Sequence, residues 1–195
     1  FHRLNQLLGY IKSENEINRT SKALISFSNL DKQIIEKLRL AKDYITIAIG
    51  GEWKYRTYNK WDEVIRLLFK EDESLNIVII GSSNALGMAK KLLINFENYN
   101  IVNCVAKYSF NQTAYIISNS KLLLCCDGGL MHAANAVKTP VVPLLSKLTS
   151  KMQLTEAIED FSLFDKEDVN NIHVSKIIQK YIEASIFVDS HLRVE

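Results

Sequence analysis

The chain has 195 residues, of which 47% are hydrophobic and 24% are charged, and its formal net charge is +2. This length suits one α/β domain whose core needs neither disulfides nor a metal, and the composition is that of an ordinary globular protein. The small net charge excludes the basic footprint of a dedicated nucleic-acid-binding protein, so no nucleic-acid partner is expected. No apolar stretch of the sequence reaches the roughly 18 residues of a membrane span.

Residues 1–43 have a mixed pattern that predicts a helical stripe, a short strand at 23–27, and a helix with Asp31 as its N-cap. The apolar residues of the stripe and of the helix are Leu4, Leu7, Leu8, Ile11, Ile34, Ile35 and Leu38. The chain begins at Phe1, which does not open a signal peptide. We therefore interpret 1–43 as a segment that connects this chain to a domain upstream.

From Tyr44 onward, short apolar runs alternate with helical stripes, and we assign 44–195 to one domain. The predicted strands are 44–49, 76–80, 101–105, 122–126 and 140–145, the last of them being the final strand. The predicted helices are a stripe that starts at a core Trp61, then 85–93, 111–118, 130–137, and a last helix carrying Val174, Ile177, Ile178, Tyr181 and Ile182. This alternation predicts an α/β fold, a Rossmann-like parallel sheet with helices on both faces. The apolar face of the last helix, Val174 to Ile186, is expected to pack partly outside this domain.

Glycines follow several of the predicted strands. The carboxyl ends of parallel strands lie at one edge of the sheet, and ligands bind outside that edge. The glycines predicted at this edge are Gly50, Gly51, Gly81, Gly128 and Gly129.

A strand, two glycines and a helix meet at Asp127-Gly128-Gly129, with His132 in the first turns of the helix. Glycines let a ligand approach the backbone, and a helix N-terminus offers N–H groups and a positive dipole end, so the pattern suits a phosphate or pyrophosphate. The same residues fit a plain turn in which Asp127 caps the helix and His132 only packs.

The loop after the first strand carries three cations, Lys54, Arg56 and Lys60, among aromatic residues. Arginine and lysine in such a loop clamp phosphates, although a solvated loop anchored by Trp61 has the same pattern. The pattern does not separate Arg56 from Lys60.

Several signatures do not occur. The sequence contains no G-x-G-x-x-G, no phosphate-binding P-loop and no G-x-S-x-G, which disfavours nicotinamide, P-loop and hydrolase chemistry. The cysteines, Cys104, Cys125 and Cys126, have no metal-site or redox spacing and are expected as buried side chains in a reducing compartment. We therefore expect neither a metal nor a cofactor.

Together these residues resemble glycosyltransferase family 9, the ADP-heptose lipopolysaccharide heptosyltransferases, over 44–150 and more loosely over 1–43. The most specific block is the D-G-G-L-M-H-A-A of residues 127–134. The others, in chain order, are Ile49-Gly50-Gly51, Asn59-Lys60-Trp61, Ile80-Gly81-Ser82-Ser83, Lys107-Tyr108-Ser109-Phe110 and Thr139-Pro140-Val141-Val142-Pro143-Leu144.

The resemblance implies the C-terminal half of a two-domain GT-B glycosyltransferase, which binds a nucleotide sugar and transfers the sugar with inversion. The acceptor, a lipopolysaccharide or another glycan or glycolipid, and the general base would belong to a missing N-terminal domain, so the isolated chain is expected to fold but not to catalyse transfer. The implied location is the cytoplasm, with peripheral association at the inner face of the bacterial inner membrane left open.

The resemblance also implies the site. The Lys that the family has two places before the Trp is Asn59 here, so the phosphate-binding cation would be Lys60, Arg56 or none. With Asp127 from the most specific block, Lys60 and Arg56 are the implied catalytic residues. Tyr108 would lie at the adenine, and the N–H groups after Asp127 at the phosphates. The implied donor-binding residues are Gly50, Gly51, Ser82, Ser83, Asn84, Tyr108, Ser109, Asp127, Gly128, Gly129, Leu130 and His132.

Two alternatives remain open at the level of sequence. One is another nucleotide-dependent α/β enzyme, such as an epimerase or a dehydrogenase. The other is a decayed, non-catalytic interaction module, which the departures from the family pattern at Asn59 and Gly128 would allow.

Overall fold

A computed structural model of the chain describes residues 24–149 and 161–192. The predicted stripe from Leu4 to Ile11 lies outside these residues. The strands are β1 Ile45–Ala48, β2 Ile77–Ile80, β3 Ile101–Asn103, β4 Leu123–Cys126, β5 Val141–Ser146 and β6 Leu163–Asp165. The helices are α1 Asn29–Leu38, α2 Trp61–Glu71, α3 Leu86–Asn95, α4 Phe110–Ser118, α5 Gly129–Ala136 and α6 Val174–Leu192.

The six strands form one sheet in the order β3-β2-β1-β4-β5-β6, and every neighbouring pair is parallel. Helices cover both faces: α2, α3 and α6 pack with Ile77 and Ile79, whereas α1, α4 and α5 pack with the alternate residues Val78 and Ile80. Strands buried on both faces are continuous apolar runs, which is why the sequence revealed them. The predicted fold class is confirmed.

Two predictions in the first segment are wrong. Residues 24–28 form no strand. The N-cap of α1 is Ser28 and not Asp31, because the Asp31 N–H donates to Ser28 Oγ at 3.2 Å and the Ser28 N–H donates to Asp31 Oδ2 at 2.9 Å. This reciprocal capping box places Asp31 in the first turn. The helix packs against α4, and Ile34 is buried in the core; the assignment of 1–43 to a connecting segment stays a prediction.

The prediction that the strand at 140–145 is the last one is also wrong. The strand β6 adds parallel to β5, with Ser146 opposite Asp165. It has only three residues, and the side chain of Phe164 is exposed. A strand this short at a sheet edge produces no apolar run that a sequence pattern would reveal.

The last helix packs on its own domain. Val174, Ile177 and Ile178 are buried, and α6 contacts α2 and β5. The prediction of a partly bare apolar face is wrong for these three residues, because they cover the same side of the sheet as α2. It is confirmed at the C-terminal part of the predicted face, where Ile182 and Ile186 are exposed.

All three cysteines are free and buried. Burial raises the pKa of the Cys104 thiol to about 11 and that of Cys126 to about 12, and it raises the pKa of Cys125 well above its usual value. A thiol with a raised pKa stays protonated below that pKa, and only the thiolate reacts.

We expect the folded chain to react with an aromatic disulfide reagent at about pH 8 roughly a hundredfold more slowly than the urea-unfolded chain. The release of the coloured thiol, followed over time, measures this rate. Rapid modification of one equivalent in the folded chain would contradict the prediction.

Candidate functional site

A cavity of about 690 Å³ opens at the carboxyl edge of the sheet. The chain passes from β1 to β2 and β3 on one side and from β4 to β5 and β6 on the other, so the loops after β1 and β4 diverge. Ligands of open parallel sheets bind at such a switch point. The loops after β1, β2, β3 and β4 all contribute to the lining.

Two of the glycines at this edge are required by the backbone. Gly50 has φ +84°, and a Cβ there would lie 2.7 Å from the Cβ of Ala85. Gly81 has φ +156°, and a Cβ there would lie 2.5 Å from the carbonyl oxygen of Ile49. These residues let the loops after β1 and β2 lie directly against each other, beneath the cavity.

The turn after β4 has open space instead. Gly128 is the N-cap of α5, its backbone is extended, and it brings no side chain that could cap the helix. A Cβ at Gly128 would meet nothing within 4 Å, and one at Gly129 would meet only a ring carbon of Phe110, at 3.6 Å. Gly129 is not in the left-handed region, so a larger residue there would not strain the backbone. The first N–H groups of α5 have no acceptor within the helix, and they lie at the cavity.

An ion pair joins the two sides of the switch point. Arg56 Nη1 donates to Asp127 Oδ2 at 2.7 Å, and the Asp127 side chain is only 4% exposed. Arg56 Nε donates to the Tyr55 hydroxyl at 3.3 Å, and this hydrogen bond, followed by the charge of Asp127, raises the pKa of Arg56. The ammonium group of Lys147 lies 3.7 Å from the centre of the Tyr55 ring. The cavity wall thus holds a permanently charged guanidinium in a fixed position.

Asn84 links the loops after β1 and β2. Its Nδ2 donates to the Gly51 carbonyl at 2.9 Å, and its Oδ1 accepts from Ser82 Oγ at 2.9 Å. Most of the predicted site residues line the same cavity: Gly50, Gly51, Arg56, Ser82, Ser83, Asn84, Tyr108, Asp127, Gly128, Gly129 and Leu130.

Three predicted site residues lie outside the lining that the described residues form. Lys60 Nζ donates to the Asn170 carbonyl at 2.9 Å. Ser109 caps α4, with its hydroxyl accepting from the Gln112 N–H at 3.2 Å. His132 is exposed on α5. Of the two cations that the sequence left open, the structure brings Arg56 to the cavity and holds Lys60 elsewhere.

Two aromatic lining residues were missed as site residues. Trp53 and Phe110 line the cavity and are 54% and 52% exposed, which is unusual for rings of this size. The one available signal was position, because each ring comes shortly after a predicted strand at the ligand-binding edge.

Within residues 24–149 and 161–192, no group of three or more His, Cys, Asp or Glu side chains could hold a metal ion. No helix in the same ranges has the length and apolar character needed to cross a membrane.

A model of glycosyltransferase family 9 (heptosyltransferase) matches residues 6–165. The match covers most of the chain, which therefore belongs to glycosyltransferase family 9, and the resemblance of the sequence is confirmed. No curated protein matches the chain.

Solved structures of the same fold include E. coli ADP-heptose lps heptosyltransferase II, with 16% identity and a TM-score of 0.70, covering 85% of this chain and 54% of that one. A family 9 glycosyltransferase from Veillonella parvula has 13% identity and a TM-score of 0.71, covering 84% and 53%. The UDP-GlcNAc 2-epimerase from Methanocaldococcus jannaschii has 13% identity and a TM-score of 0.60, covering 81% and 43%. The chain thus spans about half the length of these proteins, and identities this low show the fold alone.

Proposed function

We propose that this chain is the donor-binding half of an inverting glycosyltransferase, which holds a nucleotide sugar resembling ADP-heptose in the cavity at the sheet edge. The observation that carries the proposal is the meeting of Arg56, Asp127 and the open N-terminus of α5 at one wall of that cavity. The sugar would pass to a lipopolysaccharide or a related glycan.

The charge at this wall suits a diphosphate. Arginine has five N–H donors, and the hydrogen bonds of Arg56 within residues 24–149 and 161–192 use only Nη1 and Nε, so donors remain for an anion. The N–H groups of Gly129 and Leu130 add the positive end of the helix dipole. Sugar transfer leaves a nucleoside diphosphate with added negative charge, and fixed donors stabilise that charge as it develops. These groups supply positive charge from the chain itself, so the proposal invokes no metal or cofactor.

The remaining lining suits a nucleoside. Tyr108 and Phe110 provide ring surface on the side of β3 and α4, and Ser82, Ser83 and Asn84 provide hydroxyl and amide groups after β2. A volume of about 690 Å³ lies within the range typical of small-molecule sites. In the proposed pose the base lies near Tyr108, the ribose near Ser82, and the diphosphate near Gly129.

The acceptor site and the general base are proposed to lie in an N-terminal half. The family members of solved structure are about twice as long as the region matched here. We propose that the complete protein acts in the cytoplasm, with peripheral association at the inner face of the inner membrane, and that the 195-residue chain alone catalyses no transfer. Robust sugar transfer by this chain alone would contradict that division of roles.

Nucleotide titration of the chain tests the proposal. We expect ADP to bind with a Kd below about 1 mM in calorimetry, and adenosine to bind at least about tenfold more weakly, because it cannot use the charge-assisted contacts. UDP and NAD are titrated in parallel as probes of the base and of the cofactor class.

Each other outcome of the titration has a definite reading. Equal binding of adenosine and ADP would show that the α5 turn binds no phosphate. Tighter binding of NAD than of ADP would favour a dehydrogenase or a similar enzyme on this fold. Failure of every nucleotide to bind would favour a non-catalytic module.

A further inference from the structure

The loop that carries Arg56 has little regular structure of its own. Residues 51–60, which we term the arginine loop, contain one three-residue 3₁₀ turn, Lys54–Arg56. Side chains on such a loop remain mobile unless other parts of the chain hold the backbone. What fixes the arginine loop therefore decides whether the guanidinium is held at the cavity wall.

Asn170 holds the arginine loop at three points. Its Oδ1 accepts from the N–H of Asn59 at 2.8 Å, and its Nδ2 donates to the carbonyl of Thr57 at 2.9 Å. Its own carbonyl accepts from Lys60 Nζ at 2.9 Å. The side-chain amide of Asn170 thus hydrogen-bonds to the backbone on both sides of Tyr58, within three residues of Arg56.

Asn170 is itself firmly placed. Its Nδ2 also donates to Asp168 Oδ1 at 2.8 Å, and Asp168 caps the 3₁₀ turn Val169–Asn171. The N–H groups of Asp168 and Glu167 donate to Asp165 Oδ1, and these bonds lower the pKa of that carboxyl. The turn follows β6, beyond the residues that the family model matches.

We propose that Asn170 is a positioning residue for nucleotide binding, which fixes the arginine loop so that Arg56 meets the ligand's phosphates. The inference rests on the proposed function. Asn170 does not belong to the cavity lining formed by the described residues, so it acts through Arg56. A preorganised guanidinium binds more tightly because less conformational freedom is lost on binding. The assignment also gives Lys60 a role, as a clamp on the Asn170 carbonyl.

A double-mutant cycle tests the coupling. ADP and UDP are titrated calorimetrically against the 195-residue chain and against its Asn170→Ala, Arg56→Gln and doubly substituted forms. We expect Asn170→Ala to weaken binding about five- to tenfold, and Arg56→Gln at least about tenfold. In the Arg56→Gln background, Asn170→Ala should then change the affinity by less than about twofold, because the group that it positions is gone.

Two further variants separate positioning from folding. Asn171→Ala removes a hydrogen bond to Asp165 Oδ1, 3.1 Å long, from the same turn, and should leave the affinity within about twofold of wild type. Asn170→Asp has the same shape and keeps the acceptor for the Asn59 N–H, but it loses the donor to the Thr57 carbonyl and to Asp168 Oδ1 and brings its own carboxylate against that of Asp168. It should weaken binding at least as much as Asn170→Ala, and thermal melting shows which of the two variants is folded.

Three results would overturn the inference. Suppose that wild type binds a nucleotide, that Arg56→Gln weakens this binding, and that neither Asn170 variant does. The inference then fails and the proposed function stands. If the losses at Asn170 and Arg56 simply multiply, Asn170 acts independently of Arg56. If wild type binds no nucleotide, the proposed function fails, and the inference fails with it.

Discussion

Arg56→Gln is expected to weaken the binding of ADP to this chain by about 10- to 100-fold, because a hydrogen bond to a charged group contributes about 1.5–3 kcal/mol. The substitution removes the cation that the structure places at the cavity wall beside Asp127. Glutamine keeps a donor for the buried carboxylate of Asp127, which would otherwise lose the hydrogen bond from Arg56 at a cost to stability. Thermal melting checks that each variant is folded before calorimetric titration.

Two companion variants sharpen this test. Arg56→Lys keeps the charge but not the planar fork of donors, so an intermediate affinity is expected if geometry matters as well as charge. Lys60→Met removes the cation that donates to the Asn170 carbonyl, and it should cost less affinity than Arg56→Gln. Equal losses at Lys60 and Arg56 would contradict the assignment of the phosphate contact to Arg56 alone.

The sequence alone could not decide whether Arg56 or Lys60 lies at the cavity. Arg56 and Lys60 follow the same strand, four residues apart, and no local pattern separates them. What distinguishes the two cations is Asn170, which lies 110 residues further along the chain than Lys60 and whose carbonyl accepts a hydrogen bond from the Lys60 ammonium group. A contact at that distance in sequence leaves no periodicity or motif to recognise.

The strands and helices of the sheet were predictable for a different reason. Strands such as β2, which is buried on both faces, must be apolar at every position, and this requirement is local. The exceptions are elements whose residues are partly exposed and therefore need not be apolar at every position. The sequence did not predict the half-exposed β6. It also placed the N-cap of α1 at Asp31, three residues after the true N-cap Ser28.

The glycines illustrate the same limit within the site. Each follows a strand, so the sequence placed all of them at the ligand-binding edge. Gly50 and Gly81 are needed because the neighbouring loop lies against them, and their positive φ angles follow from that packing. Gly129 begins α5 beside open space, so a side chain there would project into the cavity and would not clash with the neighbouring loops. The two kinds of glycine should therefore respond differently to substitution.

Gly129→Val is expected to lower the affinity for ADP by at least about tenfold while the chain stays folded, because the new side chain occupies the space in which N–H groups would meet a phosphate. The nearest heavy atom to a Cβ at this position is a ring carbon of Phe110, at 3.6 Å, and that ring is 52% exposed and can turn aside. The backbone is not in the left-handed region, so valine adds no strain there. Thermal melting should accordingly show little change.

Gly87→Val is the matched control for Gly129→Val. Gly87 also lies in the first turn of a helix, α3, is exposed, and has nothing within 4 Å of a Cβ, but it does not belong to the cavity lining. Calorimetric titration of ADP and UDP against both variants should therefore show a loss at Gly129 alone. Equal losses would point to a general effect of valine at a helix start. Unchanged affinity in a folded Gly129→Val chain, when wild type binds ADP, would mean that the glycines after Asp127 serve only the turn between β4 and α5.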